Sequence, residues 1–349
     1  MNNISWGSVR NRIIGIYGLL AAANVGAWIW ATLAFHEKPI LLGTAFLAYT
    51  FGLRHAVDAD HIAAIDNVTR KLMQDGTRPV SVGFYFAFGH SIIVFIAAFV
   101  AYWTASTAEK HFKFLNDIGG IVGTCISVFF LFAIALINLL ILRGVYRAFK
   151  QVSTRGSYPE QTADMFMGGG FLARLLGPLF KLLSQPWHML PIGFLFGLGF
   201  ETATEVALLG ISASAGAKGI SLQDVMVLPA LFTAGMTLVD TTDGVLMLGA
   251  YGWAFLKPIR KLYYNLTITF ASVLVALIVG GVEAVGLLKD QFNLSGGVWD
   301  FIGMLNDNFG TLGFLIIGVF IFSWVGSMIF YRVKGYDRLA STSATKALQ

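Results

Sequence analysis

The stretch IGGIVGTCISVFFLFAIALINLLIL, Ile118–Leu142, runs for 25 residues without a charge. As a helix it reaches about 37 Å, more than the roughly 30 Å of a bilayer's hydrocarbon core. Seven other long apolar runs share this character: Arg12–Phe35, Pro39–Asp66, Ser81–Trp103, Pro186–Ser212, Val225–Phe255, Leu262–Leu288 and Phe309–Tyr331. Of the 349 residues, 56% are apolar and only 12% charged, and the mean hydropathy is +0.71. Soluble chains carry about 25% charge. Strand-length alternation is absent, so a membrane β-barrel is not expected. The reading is an all-α integral membrane protein, a bundle of about eight transmembrane helices forming one polytopic domain over residues 1–349.

The basic residues set the orientation. With both termini cytoplasmic, eighteen of the 24 Lys and Arg residues fall on the inner side, among them Arg70, Lys71, Arg78, Arg143, Arg147 and Lys257. Five fall outside (Lys38, Lys110, Lys113, Lys218, Lys289), and Arg54 lies within a span. That bias is the positive-inside pattern. It also accounts for the net charge of +5 without any nucleic-acid partner. The one long loop, residues 143–185, opens with polar VSTRGSYPEQTAD and continues as GGGFLARLLGPLFKLL. The second part suits either a short amphipathic helix on the inner leaflet or a lid on the bundle. The single cysteine, Cys125, excludes a disulfide framework and a thiolate metal cluster.

Ionisable groups inside a span cost roughly 2.5–3.5 kcal/mol each at the helix centre, so they mark function by default. This chain has Asp58, Asp60, Asp66, Glu201, Glu205, Asp240, Asp243 and Glu283 in or at the ends of its spans, with His55, His61, His90 and Arg54. Asp66 and Glu283 lie near span ends and are expected to reach the interface. The densest group is Arg54-His55-Ala56-Val57-Asp58-Ala59-Asp60-His61-Ile62, which offers two imidazoles and two carboxylates. Imidazole suits late first-row transition metals, and carboxylate compensates their charge. In a regular helix His55, Asp58 and His61 share a ridge, whereas Asp60 points about 140° away from His55. Either Asp60 plays a supporting role or the helix is distorted there. An Arg54–Asp58 ion pair is the alternative use of part of this cluster.

The third run carries Phe88-Gly89-His90-Ser91; a lone histidine on an apolar helix is either a ligand or a hydrogen-bonded core residue. In the fifth, Glu201 and Glu205 are four apart and share a face. In the sixth, Asp240 and Asp243 are three apart and do the same. Such like-charge pairs require a cation or a shared proton. Asn24 and Asn138 add buried amides, and for Asn138 helix–helix hydrogen bonding is the preferred role. Four spans thus bring acids or histidines toward one polar interior, as a cation pathway requires. No P-loop and no H-E-x-x-H is present, which argues against ATP hydrolysis or metalloprotease chemistry by this chain.

These motifs together resemble the nickel/cobalt transporter family of single-chain permeases. The carrying residues are His55-Ala56-Val57-Asp58-Ala59-Asp60-His61-Ile62, Phe88-Gly89-His90-Ser91, Leu198-Gly199-Phe200-Glu201-Thr202-Ala203-Thr204-Glu205 and Gly235-Met236-Thr237-Leu238-Val239-Asp240-Thr241-Thr242-Asp243, in the family's order. The resemblance covers nearly the whole chain outside the first dozen residues, the polar loop and the tail. It implies high-affinity uptake of Ni²⁺ or Co²⁺ through a bacterial cytoplasmic (inner) membrane. The ion is then substrate rather than cofactor, membrane lipid is the surrounding partner, and no ATPase subunit is required. It implies a metal site drawn from His55, Asp58, Asp60, His61 and His90, supported by Asn24, Arg54, Glu201, Thr204, Glu205, Asp240 and Asp243. Within that resemblance Asn24 is expected to touch the second-span histidine and tune metal choice. The N-terminal Met-His of some multi-subunit importers is absent, because the second residue is Asn2. The rival readings are a membrane di-iron oxidase, for which six histidines are too few; a proton or cation channel; and a carrier of Zn²⁺, Mn²⁺ or Fe²⁺.

Overall fold

The computed structural model describes residues 6–104, 109–155, 183–199, 203–254 and 258–333. All regular structure among them is helical. In order these are α1 Trp6–Phe35, α2 Pro39–His55, α3 Ala59–Gln74, α4 Val82–Thr104, α5 Glu109–Arg155, a 3₁₀ turn Pro186–His188, α6 Met189–Phe196, α7 Ala203–Ala217, α8 Leu222–Val225, α9 Val227–Ala254, α10 Pro258–Phe292, α11 Gly297–Asp307 and α12 Phe309–Val333. Six helical stretches, within α1, α4, α5, α8–α9, α10 and α12, are long and apolar enough to cross a membrane, and α2 with α3 makes a seventh if that bent pair is one span. Exposed Phe, Leu, Ile and Val side chains such as Leu33, Phe129, Phe270 and Phe322 coat the outside of the bundle. In a soluble protein that surface would aggregate; in lipid it is the solvated one.

The second apolar run is not one straight helix. α2 ends at His55 and α3 begins at Ala59, with a bend of 51° between them. The last turn of α2 tightens, Val57 N–H donating to Arg54 O at 3.0 Å and Asp58 N–H to His55 O at 2.9 Å. Asp58 then turns extended (φ −64°, ψ 147°) in the position that normally caps a helix N-terminus, yet its side chain makes no capping bond. That carboxylate is used elsewhere, as described below. Helix α12 lies directly across the break: a Cβ added at Gly313 would collide with the backbone carbonyl of Val57.

Glycine lets other backbones meet in the same way. Gly52 of α2 lies on the carbonyl of Phe232 in α9, and Gly89 of α4 on the carbonyl of Leu190 in α6. Such close crossings are how membrane helices associate without a hydrophobic drive between them. They hold α2 against α9 and α4 against α6.

Helix α3 is the departure from the expected pattern. Arg70 and Lys71, assigned from sequence to a cytoplasmic loop, are 1% and 2% exposed inside the bundle, and Asp66, expected at the interface, is fully buried. Local and long-range bonds together make this tolerable. Arg70 Nη2 donates to Asn67 Oδ1 at 2.8 Å, and Asn138 Nδ2 of α5 donates to the same oxygen at 2.7 Å. Lys71 Nζ bonds Asp75 at 2.8 Å and the Leu183 carbonyl at 2.7 Å. Asn138 thus holds two helices together, as the sequence suggested.

The loop expected from residue 143 also starts later, because α5 continues to Arg155. Its 47 residues make about 70 Å, twice a bilayer core. The amphipathic segment expected over 168–183 lies outside the described residues apart from Leu183. The fifth apolar run is interrupted: α6 stops at Phe196, and α7 resumes at Ala203.

Candidate metal centre

The break after α2 sets His55 at the end of one helix and His61 in the first turns of the next. The two rings face each other with centroids 4.6 Å apart. His90 of α4 completes a triangle, 4.9 Å from His55 and 5.0 Å from His61. All three are buried, and one ring nitrogen from each lies within 4.8 Å of the other two. Phe86 and Phe232 wall the rings with apolar surface.

Two of the three rings are held from behind. His55 Nδ1 is 2.8 Å from Asp58 Oδ2, the carboxylate that does not cap α3. His61 Nδ1 lies 3.2 Å and 3.4 Å from the two oxygens of Asp240 on α9. A carboxylate on Nδ1 fixes the tautomer with its hydrogen there and leaves the Nε2 lone pair free, the arrangement that orients metal-binding histidines. In front, His55 Nε2 is 3.1 Å from His90 Nε2, and Glu205 Oε1 of α7 lies 2.8 Å from His90 Nε2 and 3.6 Å from His55 Nε2. His61 Nε2 is buried with no hydrogen-bond partner.

Lone-pair atoms that crowd like this repel unless a cation or a proton lies between them. Ligands at about 2.0–2.1 Å from one ion stand roughly 3.0–3.4 Å from each other, close to the 3.1 Å between His55 and His90 Nε2, with a His61 nitrogen within 4.8 Å of both. The donor set is three imidazoles and one carboxylate, which matches a borderline-soft divalent ion and not Mg²⁺ or Ca²⁺.

The remaining expected residues are distributed around this point. Asp60, in the first turn of α3, is half-buried, and it lines the same cavity as Arg54, Asp58, Thr204, His55 and His90. Among the described residues no ion pair joins Arg54 to Asp58; Arg54 is exposed at the cavity instead. Asp243 is one turn beyond Asp240 and interacts electrostatically with Asp66 and Asp240, away from the histidines. Asn24 accepts from Tyr49 Oη at 3.0 Å and donates to the carbonyls of Leu20 at 2.9 Å and Ala234 at 3.3 Å, so its bonds reach no histidine. Glu201 lies outside the described residues. Glu283, set aside from sequence as interfacial, is 5% exposed and lines the cavity.

The family model described as high-affinity nickel-transport protein, NicO, matches residues 41–330. The chain belongs to this family. It is 55% identical over 334 residues to the high-affinity nickel transport protein of Cupriavidus necator, covering 95% of both chains. It is 43% identical over 326 residues to the nickel transporter NicT of Mycobacterium tuberculosis (90% of this chain, 87% of the other). It is 39% identical over 333 residues to the cobalt transport protein NhlF of Rhodococcus rhodochrous (93% and 94%). No solved structure gave a significant match. The NicO match spans α2 to α12 almost completely, so the family region includes every side chain of the histidine cluster and its supporting carboxylates.

Proposed function

We propose that this chain is a secondary carrier that brings Ni²⁺ or Co²⁺ into the cytoplasm, and that the ion is held in transit by Nε2 of His55, His61 and His90 with Oε1 of Glu205. The convergence of three buried imidazoles on one point carries this reading. Asp58 and Asp240 act through the rings they orient. Asp60, Thr204 and Arg54 line the approach. Asp243 with Asp66 supplies negative charge farther along α3 and α9. Asn24 and Tyr49 tie α1 to α2 behind it. The nickel- and cobalt-transporting names of the relatives favour these ions over zinc, which the same donors would also accept. Uptake of radiolabelled nickel and cobalt into proteoliposomes, with unlabelled zinc and manganese as competitors, tests the assignment. Saturable uptake suppressed by cobalt or nickel but not by equimolar manganese is expected; manganese-dominated uptake overturns it.

The fold reading completes as eight spans, counting α2–α3 and α6–α7 each as one broken crossing, in the inner membrane of a bacterium with both termini cytoplasmic. No ATP-hydrolysing subunit enters the scheme. A reporter fused after Gln349 is expected to be active only on the cytoplasmic side, and periplasmic activity contradicts the count. Ligand imidazoles must be neutral, so protons compete with the ion, and free histidine titrates near pH 6.5. Nickel binding to the purified protein, measured without a gradient, is therefore expected to weaken at least about tenfold between about pH 7.5 and 5.5. Unchanged affinity over that range removes imidazole from the ligand set.

A further inference from the structure

The histidine centre meets open space on one side. A cavity of about 600 Å³ leads from it toward Asp290 of α10 and Asp307 at the end of α11, and none of its described lining residues lies on α3 beyond Asp60. In the other direction every residue of α3 from His61 to Met73 is buried. The polar groups on that side are not matched to one another. Arg70 stands nine residues past His61, about 13 Å along the helix. Among the described residues its guanidinium makes one hydrogen bond, from Nη2 to Asn67 Oδ1, an oxygen already shared with Asn138. Its Nε and Nη1 are buried without a partner. Helix α9 packs on α3 here, with Ile65 Cγ2 3.5 Å from the Cβ position of Gly244. It carries the complement: Asp243 Oδ2 is also buried without a hydrogen-bond partner. So are the hydroxyls of Thr241 on α9 and Thr69 on α3. Thr237 and Thr242 bond back to the carbonyl one turn earlier, the usual recourse of a helical threonine, and Thr241 does not. Asp66 lies one turn before Arg70 on the same face of α3 and interacts electrostatically with Asp243. A buried cation with unused donors and a buried carboxylate oxygen without one each cost free energy. Two helices in contact that keep both hold them for a second arrangement.

We propose that Arg70 is the counter-charge of the empty carrier: while the ion is on the route the guanidinium rests on Asn67, and once the ion has left it turns to Asp243 and neutralises the carboxylate. The structure, with its ligand nitrogens converged, shows the first arrangement. This inference rests on the reading that the ion binds at His55, His61 and His90. An ion that passes along α3 and α9 compensates the acids there as it goes. Its departure leaves them buried and uncompensated, which opposes closure of the two helices. Arg70 supplies the missing charge and lets the empty protein turn back. Arginine suits the task. It stays protonated, and its five donors allow one nitrogen to leave Asn67 while the others take up a carboxylate.

A charge needed only by the empty carrier governs net transport and spares exchange, because ion-for-ion exchange never passes through the empty return. In proteoliposomes Arg70→Gln is therefore expected to lower net uptake of radiolabelled Ni²⁺ at least about tenfold. Exchange of external label for unlabelled Ni²⁺ inside, and equilibrium Ni²⁺ binding by the purified protein, should both stay within about twofold of the unaltered protein. Arg70→Lys keeps the charge without the fork and should restore net uptake to within about threefold. Asn67→Asp gives the guanidinium a carboxylate where it now rests, so it should hold Arg70 there, slowing net uptake and again sparing exchange. Normal net uptake by Arg70→Gln overturns the proposal; if that variant does not reach the membrane, normal net uptake by Asn67→Asp overturns it. Equal loss of net uptake and exchange also overturns it, since Arg70 then serves the loaded protein or its fold. His61→Ala separates the two readings: if it still binds Ni²⁺ at full affinity, the histidine centre is wrong.

Discussion

Replacing His61 with alanine is expected to lower nickel uptake more than about 100-fold while the protein remains in the membrane at its normal level. His61 Nε2 is a buried ring nitrogen with no hydrogen-bond partner, and the His61 ring packs against those of His55 and His90. Its removal takes one of the three proposed nitrogen ligands and leaves Asp240 without its ring partner. Changes one step further out cost metal sites about 10–100-fold, so Asp240→Asn should fall in that range and the ligand itself beyond it. His55→Ala should match His61→Ala. Radiolabelled uptake with quantification of membrane protein decides the matter; near-normal uptake by His61→Ala means the ion takes another route.

The second large effect is expected at a residue that carries no chemistry. Gly313 of α12 lies on the carbonyl of Val57, inside the three-residue break that separates His55 from His61. Gly313→Val must push α12 off that break or move the break itself. Overpacking of this kind costs about 1–3 kcal/mol in a core. Here it acts on the segment that fixes the angle between two proposed metal ligands, and a misplacement of about 1 Å can cost on the order of 100-fold. Nickel affinity and uptake are both expected to fall at least about tenfold. Gly318, on the same helix, has nothing within 4 Å of an added Cβ, so Gly318→Val is the matched control and should transport normally. Equal uptake by the two valine variants would show that α12 does not set the geometry of the centre.

Much of this was legible in the sequence, for physical reasons. Apolar runs as long as Ile118–Leu142 have one stable solution in lipid, so the helices and their order followed. The clash between the ridge of His55, Asp58 and His61 and the direction of Asp60 already required a choice between a supporting Asp60 and a distorted helix. The structure breaks the helix at Ala56–Asp58. Which carboxylates stand behind the rings was not legible. Asp58 and Asp240 reach Nδ1 through a local turn and a contact 179 residues apart, and no periodicity encodes either.

Polar burial misled the reading of α3. Arg70 and Lys71 look like loop residues because the setting that buries them, the Asn67 oxygen shared with Asn138 and the Leu183 carbonyl on Lys71, is only assembled by the fold. Asn24 matched a family position but bonds Tyr49 rather than a histidine. Helix α11 escaped notice because its 11 residues are too few to signal a span. With it went the outer wall of the cavity, and so the place of Glu283, which the sequence marked only as an acid near a span end.

The central claim is that three imidazoles hold the transported ion. X-ray absorption spectroscopy of the Ni²⁺-loaded protein measures this directly. The expected spectrum has nitrogen and oxygen neighbours at about 2.0–2.1 Å, with the outer-shell multiple scattering of about three imidazoles, reduced to about two in any Ni²⁺ that His61→Ala retains. A nickel environment of oxygen ligands alone, with no imidazole scattering and no change in His61→Ala, would contradict the account.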